Sequence, residues 1–186
     1  MKRPLMLEGT DVFIRYNEAI EILNKIRSFK EGSFSALVSG NDPFGFDIRE
    51  ENSYRRVKPN YTLEKSNGSV LFYYNNWSKE GIGHILEKEV NKNEDWINKI
   101  KILVPKAVGS GKAATDEIKP FIVESASCCS ETYLVIGPCS SKKEADNICS
   151  YIKTKFFHFL VTLVKNTQGA YQSVYKFVPM QNFEES

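Results

Sequence analysis

The chain has 186 residues, 41% of them apolar and 26% charged, with a net charge of only +2. That is enough to bury one sizeable core, and too evenly balanced for a strongly basic polyanion-binding protein. Basic and acidic residues stand at ten to nine through residue 60, nine to nine over 61–125 and six to five thereafter, so any phosphate-binding surface has to be local.

No apolar run approaches the roughly 18 residues that cross a bilayer, and the opening MKRPLMLEGTD is too short in apolar residues for a secretory signal, so the expected compartment is the cytoplasm with no membrane partner. From about Asn17 the spacing of Ala19, Ile20, Leu23 and Ile26 predicts an amphipathic helix with no chemistry of its own. Ser33 to Val38 reads as a short strand running into GNDPFGFDIREEN, a loop of tight turns that holds Phe44 and Phe46 either inward as core plugs or outward against a flat ligand. Tyr61 to Leu63 and Val70 to Tyr74 read as two strands of a hairpin turning at Asn67-Gly68. The tip of the second, FYYNNW, sets Tyr73, Asn75, Asn76 and Trp77 side by side, a composition suited to stacking on and reading bases and equally to an edge strand.

Residues 87–98 are charged and predict a short helix or a crossing loop, after which KILV (Lys101–Val104) is a strand. It opens into PKAVGSGKAATDEIKP, where Lys99, Lys101, Lys106 and Lys112 bracket a Gly109-Ser110-Gly111 turn, so that backbone N–H groups and ammonium charges can converge on a phosphate. The segment lacks the full P-loop pattern, and a solvated flexible loop fits it as well. A strand at Phe121–Val123 follows. Tyr133–Ile136 is a continuous apolar run, as in a strand covered on both faces. Ser141 and Glu144 form a capping box, and Ala145, Ile148, Cys149, Ile152, Phe156, Phe159, Leu160 and Leu163 then predict one helix of about six turns. Tyr175 and Phe177 predict a last strand ending at Pro179. The four cysteines, at 128, 129, 139 and 149, lack zinc-site spacing and read as buried thiols.

No nucleophile elbow, HExxH helix or dinucleotide fingerprint is present, and there are two histidines, His84 and His158. The expected fold is α+β, a largely antiparallel sheet with the long C-terminal amphipathic helix packed across it.

Several stretches carry a resemblance: FIRYNEAIEILNKI, LVSGNDPFGF, KILVPKA, and ETYLVIG followed by EADNICSYIKTKFFHFLVTLVKNTQ and VYKFVPMQNF. In this order they resemble the C-terminal target-recognition region, with a TaqI-like specificity domain, of the Eco57I-like restriction-modification adenine-specific DNA methyltransferases, over about Phe13 to Phe183. The resemblance implies a single target-recognition domain over 1–186, excised from a larger enzyme. Its partners would be double-stranded DNA and an N-terminal methyltransferase domain holding S-adenosylmethionine and an NPPY-type motif. This chain has no NPPY, only NDPFG and KPNY, so no catalytic residue, cofactor or metal is expected in it. On this reading Lys99, Lys106, Ser110 and Lys112, then Arg55, Arg56 and Lys58, would meet phosphates, and Phe44, Tyr73, Asn75 and Asn76 would meet bases or the groove. The alternatives are a small metal-dependent nuclease using Asp42, Asp47, Glu50 or Glu124, and a protein-interaction module docking through the first helix.

Overall fold

A computed structural model describes residues 19–48, 58–107, 117–164 and 169–185. Along the chain run α1 (Ala19–Ser28), β1 (Ser69–Tyr73), α2 (Trp77–Glu80), β2 (Gly83–Leu86), β3 (Ile100–Pro105), β4 (Phe121–Val123), β5 (Ser127–Cys129), β6 (Tyr133–Cys139), α3 (Lys142–Ile152) and α4 (Lys155–Val164). The class is α+β. One sheet has the order β4-β3-β6 and is antiparallel throughout, and the other, β2-β1-β5, is mixed because β1 and β5 run parallel.

The strands of the first sheet divide the interior. Successive side chains of a strand point to opposite faces, so Ile102, Val104, Leu134 and Ile136 enter one core with α3 and α4. Leu103, Tyr133 and Val135 enter a second core with Phe72, Phe46 and Cys129. The sheet therefore lies between a helical layer and the second sheet, which accounts for its uninterrupted apolar runs. Its β6 edge is covered by residues 38–39, where the Ser39 N–H donates to Val135 O and the Ser39 Oγ accepts from the Val135 N–H.

The expected six-turn helix is two helices. Thr154 accepts the Phe157 N–H through Oγ1 at 3.1 Å while its hydroxyl donates to the Tyr151 carbonyl at 2.8 Å, so one residue closes α3 and caps α4. The break also rotates the apolar face by about one residue: Phe157, Leu160, Val161 and Leu163 are buried, whereas Phe156 is 42% exposed. Of the capping box, the Ser141 half forms as the spacing implies, its Oγ accepting from the Glu144 N–H, while Glu144 Oε2 reaches one residue further back and accepts from the Ser140 N–H and hydroxyl.

Three further expectations change. The last strand is instead a 3-10 turn, Gln172–Tyr175, followed by an extended tail that pairs with residues 32–34 through Phe34 N–H to Val178 O and Met180 N–H to Gly32 O. Ser33 caps a 3-10 turn at Phe34–Leu37 rather than starting a strand. Asn67-Gly68 does make a turn, with Gly68 at φ 72°, but β1 pairs with β2 and β5, which fill both its edges. Thr62 bonds to His84 on β2 instead. The charged stretch after β2 forms two 3-10 turns, Glu87–Glu89 and Glu94–Trp96.

Replacing Thr154 by Ala should lower stability by about 1 kcal/mol through loss of the α4 cap, with Ser restoring most of it. Urea denaturation followed by far-UV circular dichroism measures this.

Candidate nucleic-acid interface

One end of the two sheets gathers four of the residues singled out by sequence. β1 ends at Tyr73, whose carbonyl accepts the Ser130 N–H at 2.9 Å, and three residues on, the Tyr133 N–H donates to the Ser130 carbonyl. Tyr133 opens β6 opposite Pro105, and the Lys106 N–H donates to Thr132 O at 2.9 Å. These bonds tie Tyr73 and the following Asn75 and Asn76 to the same end of the fold as Lys106. Asn75 and Asn76 are exposed and Lys106 is half-buried.

The support beneath them is aromatic. Trp77 meets Tyr73 edge-on at 5.2 Å and Phe121 at 5.5 Å, Phe121 meets Tyr133 at 5.6 Å, and the indole Nε1–H donates to the Tyr133 hydroxyl at 2.9 Å. Burial pushes the Tyr73 and Tyr133 phenols upward, so both stay protonated at neutral pH. Tyr73 is itself only 9% exposed and belongs to the support rather than to a contact surface. Tyr74 fixes α2 from below, donating to Glu80 Oε2 at 3.2 Å and to Gly81 O at 3.0 Å.

The other expected contact residues lie elsewhere. Phe44 is fully buried, edge-on to Trp96 at 6.5 Å, so it is the inward plug rather than a groove contact. Its loop is clamped by Lys92, which bonds the Asn41 and Asp42 carbonyls and pairs with the Asp42 carboxylate at 3.5 Å, and by Asn93, which donates to Pro43 O. Gly45 takes φ 83°, which L side chains rarely adopt, and a Cβ there would displace the Asn91 side chain. Lys99 precedes β3 and is paired with Asp95 at 3.1 Å, about 20 Å of strand away from Lys106. The expected convergence of lysines on one turn therefore does not include it. Lys58 is exposed. Arg55, Arg56, Ser110 and Lys112 lie outside the described residues.

Lys101 is withdrawn from solvent altogether, at 0% exposure between the two sheets. Its ammonium donates to Ile97 O, Lys99 O and Ser127 Oγ at 3.2, 2.8 and 3.0 Å, and burial pulls its pKa down to about 8. Three acceptors satisfy three donors, which makes it a clip between β3 and β5 rather than a ligand. The sequence offered no signal for this.

The opposite end of β1 differs in character. A cavity of about 530 Å³ opens there beside Gly68, Leu86 and Ile97, and it carries Glu87 and Glu94 as well as Lys88, a balance unsuited to a polyanion. Of the acidic residues of the nuclease alternative, Asp42 is paired with Lys92, Asp47 is buried and Glu50 lies outside the described residues. No group of three or more His, Cys, Asp or Glu able to hold a metal ion occurs among the described residues, and no helix among them is long and apolar enough to cross a membrane. No family model matches this chain, and no curated protein matches it.

All four cysteines are buried as free thiols. Burial pushes Cys128 and Cys139 up to about 12 from 9.0, and Cys129 and Cys149 upward as well. The unfolded thiols ionise near 9.0 while the folded ones keep their protons, so stability should fall as pH rises from about 9 towards 12. Lys101 acts in the other sense between about 8 and 10.5, where the unfolded amine holds a proton that the folded one has lost, so stability should rise slightly up to about pH 8, above which the thiols prevail. Chemical denaturation at half-unit pH steps reads both slopes, and a thiol reagent at pH 8 should modify the native chain slowly and all four cysteines once it is unfolded.

Proposed function

We propose that this chain is the target-recognition domain of a restriction-modification, adenine-specific DNA methyltransferase. It grips duplex DNA in the cytoplasm and holds it for methylation by a separate catalytic domain that binds S-adenosylmethionine. The reading rests on the resemblance over Phe13 to Phe183, and the observation that carries it is the composition of one end of the fold. There exposed Asn75 and Asn76 follow a strand end packed by Tyr73, Trp77 and Phe121, and half-buried Lys106 leaves β3 at the same end. Methylating an adenine requires flipping it from the stack, so a second body must hold the distorted duplex in register, and amide and lysine groups on a firm base suit that task. The stretches that carry the resemblance also supply much of the frame: KILVPKA is β3 and its exit, ETYLVIG is most of β6, and VYKFVP closes the first core with Val174, Tyr175, Phe177 and Val178.

A second reading, an interaction module, draws on α1 and the turn after it, where Ile22 and Phe29 are 41% and 64% exposed.

The DNA reading is tested by fluorescence anisotropy of the chain with labelled duplexes across a salt series. Binding should weaken linearly in log–log form, and Lys106→Ala should make the slope shallower by about one. Failure to bind duplex at low salt, or metal-dependent strand cleavage by the purified chain, would refute it.

A further inference from the structure

Resting on that reading, we propose that Asn75 and Asn76 are the specificity-determining pair, reading adenine from the major groove. A carboxamide offers one acceptor and one donor, the complement of the N6–H donor and N7 acceptor that adenine alone presents there. In this chain the two amides are exposed, Asn76 does not use its side chain to cap α2, and neither amide has a hydrogen-bond partner among the described residues. They are therefore available without breaking an internal bond.

Their backbone is held in place. The Trp77 N–H donates to Tyr74 O, and the Lys79 and Glu80 N–H groups donate to Asn76 O at 2.9 and 3.0 Å. Tyr74 below and the Trp77 indole bonded to Tyr133 fix the turn on both sides. A turn held this way loses little conformational freedom on binding, which is what a base-reading element needs. Adjacent Cα atoms are about 3.8 Å apart, close to the rise of roughly 3.4 Å per base along one strand, so neighbouring amides can address neighbouring base pairs. Lys79, exposed on the same short element, is in position to take a flanking phosphate.

The experiment is selection from a pool of duplexes with a randomised window, using the full 186-residue chain and its Asn75→Ala/Asn76→Ala and Asn75→Asp/Asn76→Asp forms. The native chain should enrich adenine at one or two positions, and the alanine form should lose about five- to 150-fold of that preference, read as the ratio of its affinities for selected and unselected duplex. The aspartate form should move the preference towards cytosine, whose N4 group donates to a carboxylate. Unchanged melting temperatures will confirm that the exposed substitutions leave folding intact. If the native chain binds duplex with a preference that both variants keep, or binds with no preference, the assignment of this pair is wrong while the DNA-binding role stands. If the native chain binds no duplex at all, both fall.

Discussion

The strands β3 and β6 of the first sheet have to be covered on both sides, and most of the molecule follows from that requirement. Ile102, Val104, Leu134 and Ile136 on one face and Leu103, Tyr133 and Val135 on the other are all buried to 8% exposure or less. A strand of this kind cannot sit at the surface of a two-layer protein. The helices α3 and α4 cover one side, and the second sheet covers the other. Fully burying each such side chain contributes on the order of 1.5–3 kcal/mol, so β3 and β6 set the layer order before any loop is considered.

Placing two sheets face to face creates a polar problem that Lys101 solves. It is the one residue of the KILV strand that is not apolar, and it points to the side occupied by Ser127, Cys128 and Cys129. Its ammonium finds carbonyls from Ile97 and Lys99 and the Ser127 hydroxyl, which in turn donates to Glu124 O at 2.6 Å. A buried charge whose donors are all used costs far less than an unpaired one. By contrast the Tyr175 hydroxyl, fully buried in the first core, has no partner among the described residues. The aromatic packing of Tyr175 against Phe34 and Phe157 is what keeps it there.

The sequence made β3 and β6 legible because burial on both faces leaves an unbroken apolar run, and it made the start of α3 legible because a capping box is local chemistry. It did not show the break at Thr154, since apolar residues continue across it at helical spacing and one threonine hydroxyl overrides that period. Nor did it place β1, because a turn signal at Asn67-Gly68 fixes where the chain reverses and not which strand it then joins. The second sheet includes a parallel pair, β1 with β5, brought together from 54 or more positions apart, beyond the reach of any local pattern. For the candidate site, FYYNNW was conspicuous by composition, yet only packing separates Tyr73 and Trp77, which support, from Asn75 and Asn76, which are exposed. The lysines of the KILV region looked alike in sequence. Strand alternation sent Lys101 inward, and strand length put Lys99 and Lys106 at opposite ends.

That separation bears on how a nearly neutral protein can meet a polyanion. With a net charge of +2 over 186 residues, the proposed affinity for a duplex could not come from a uniform positive surface and would have to come from a few well-placed cations. The structure spends Lys92 and Lys99 on Asp42 and Asp95, and Lys101 on the sheet interface. Lys79 and Lys106 stand at the end where the amides are exposed. Fewer phosphate contacts mean weaker non-specific binding, which raises the relative weight of base contacts in deciding where the protein rests. A recognition body working beside a catalytic one gains from this, because a strong sequence-blind grip would hold the pair on the wrong site as firmly as on the right one.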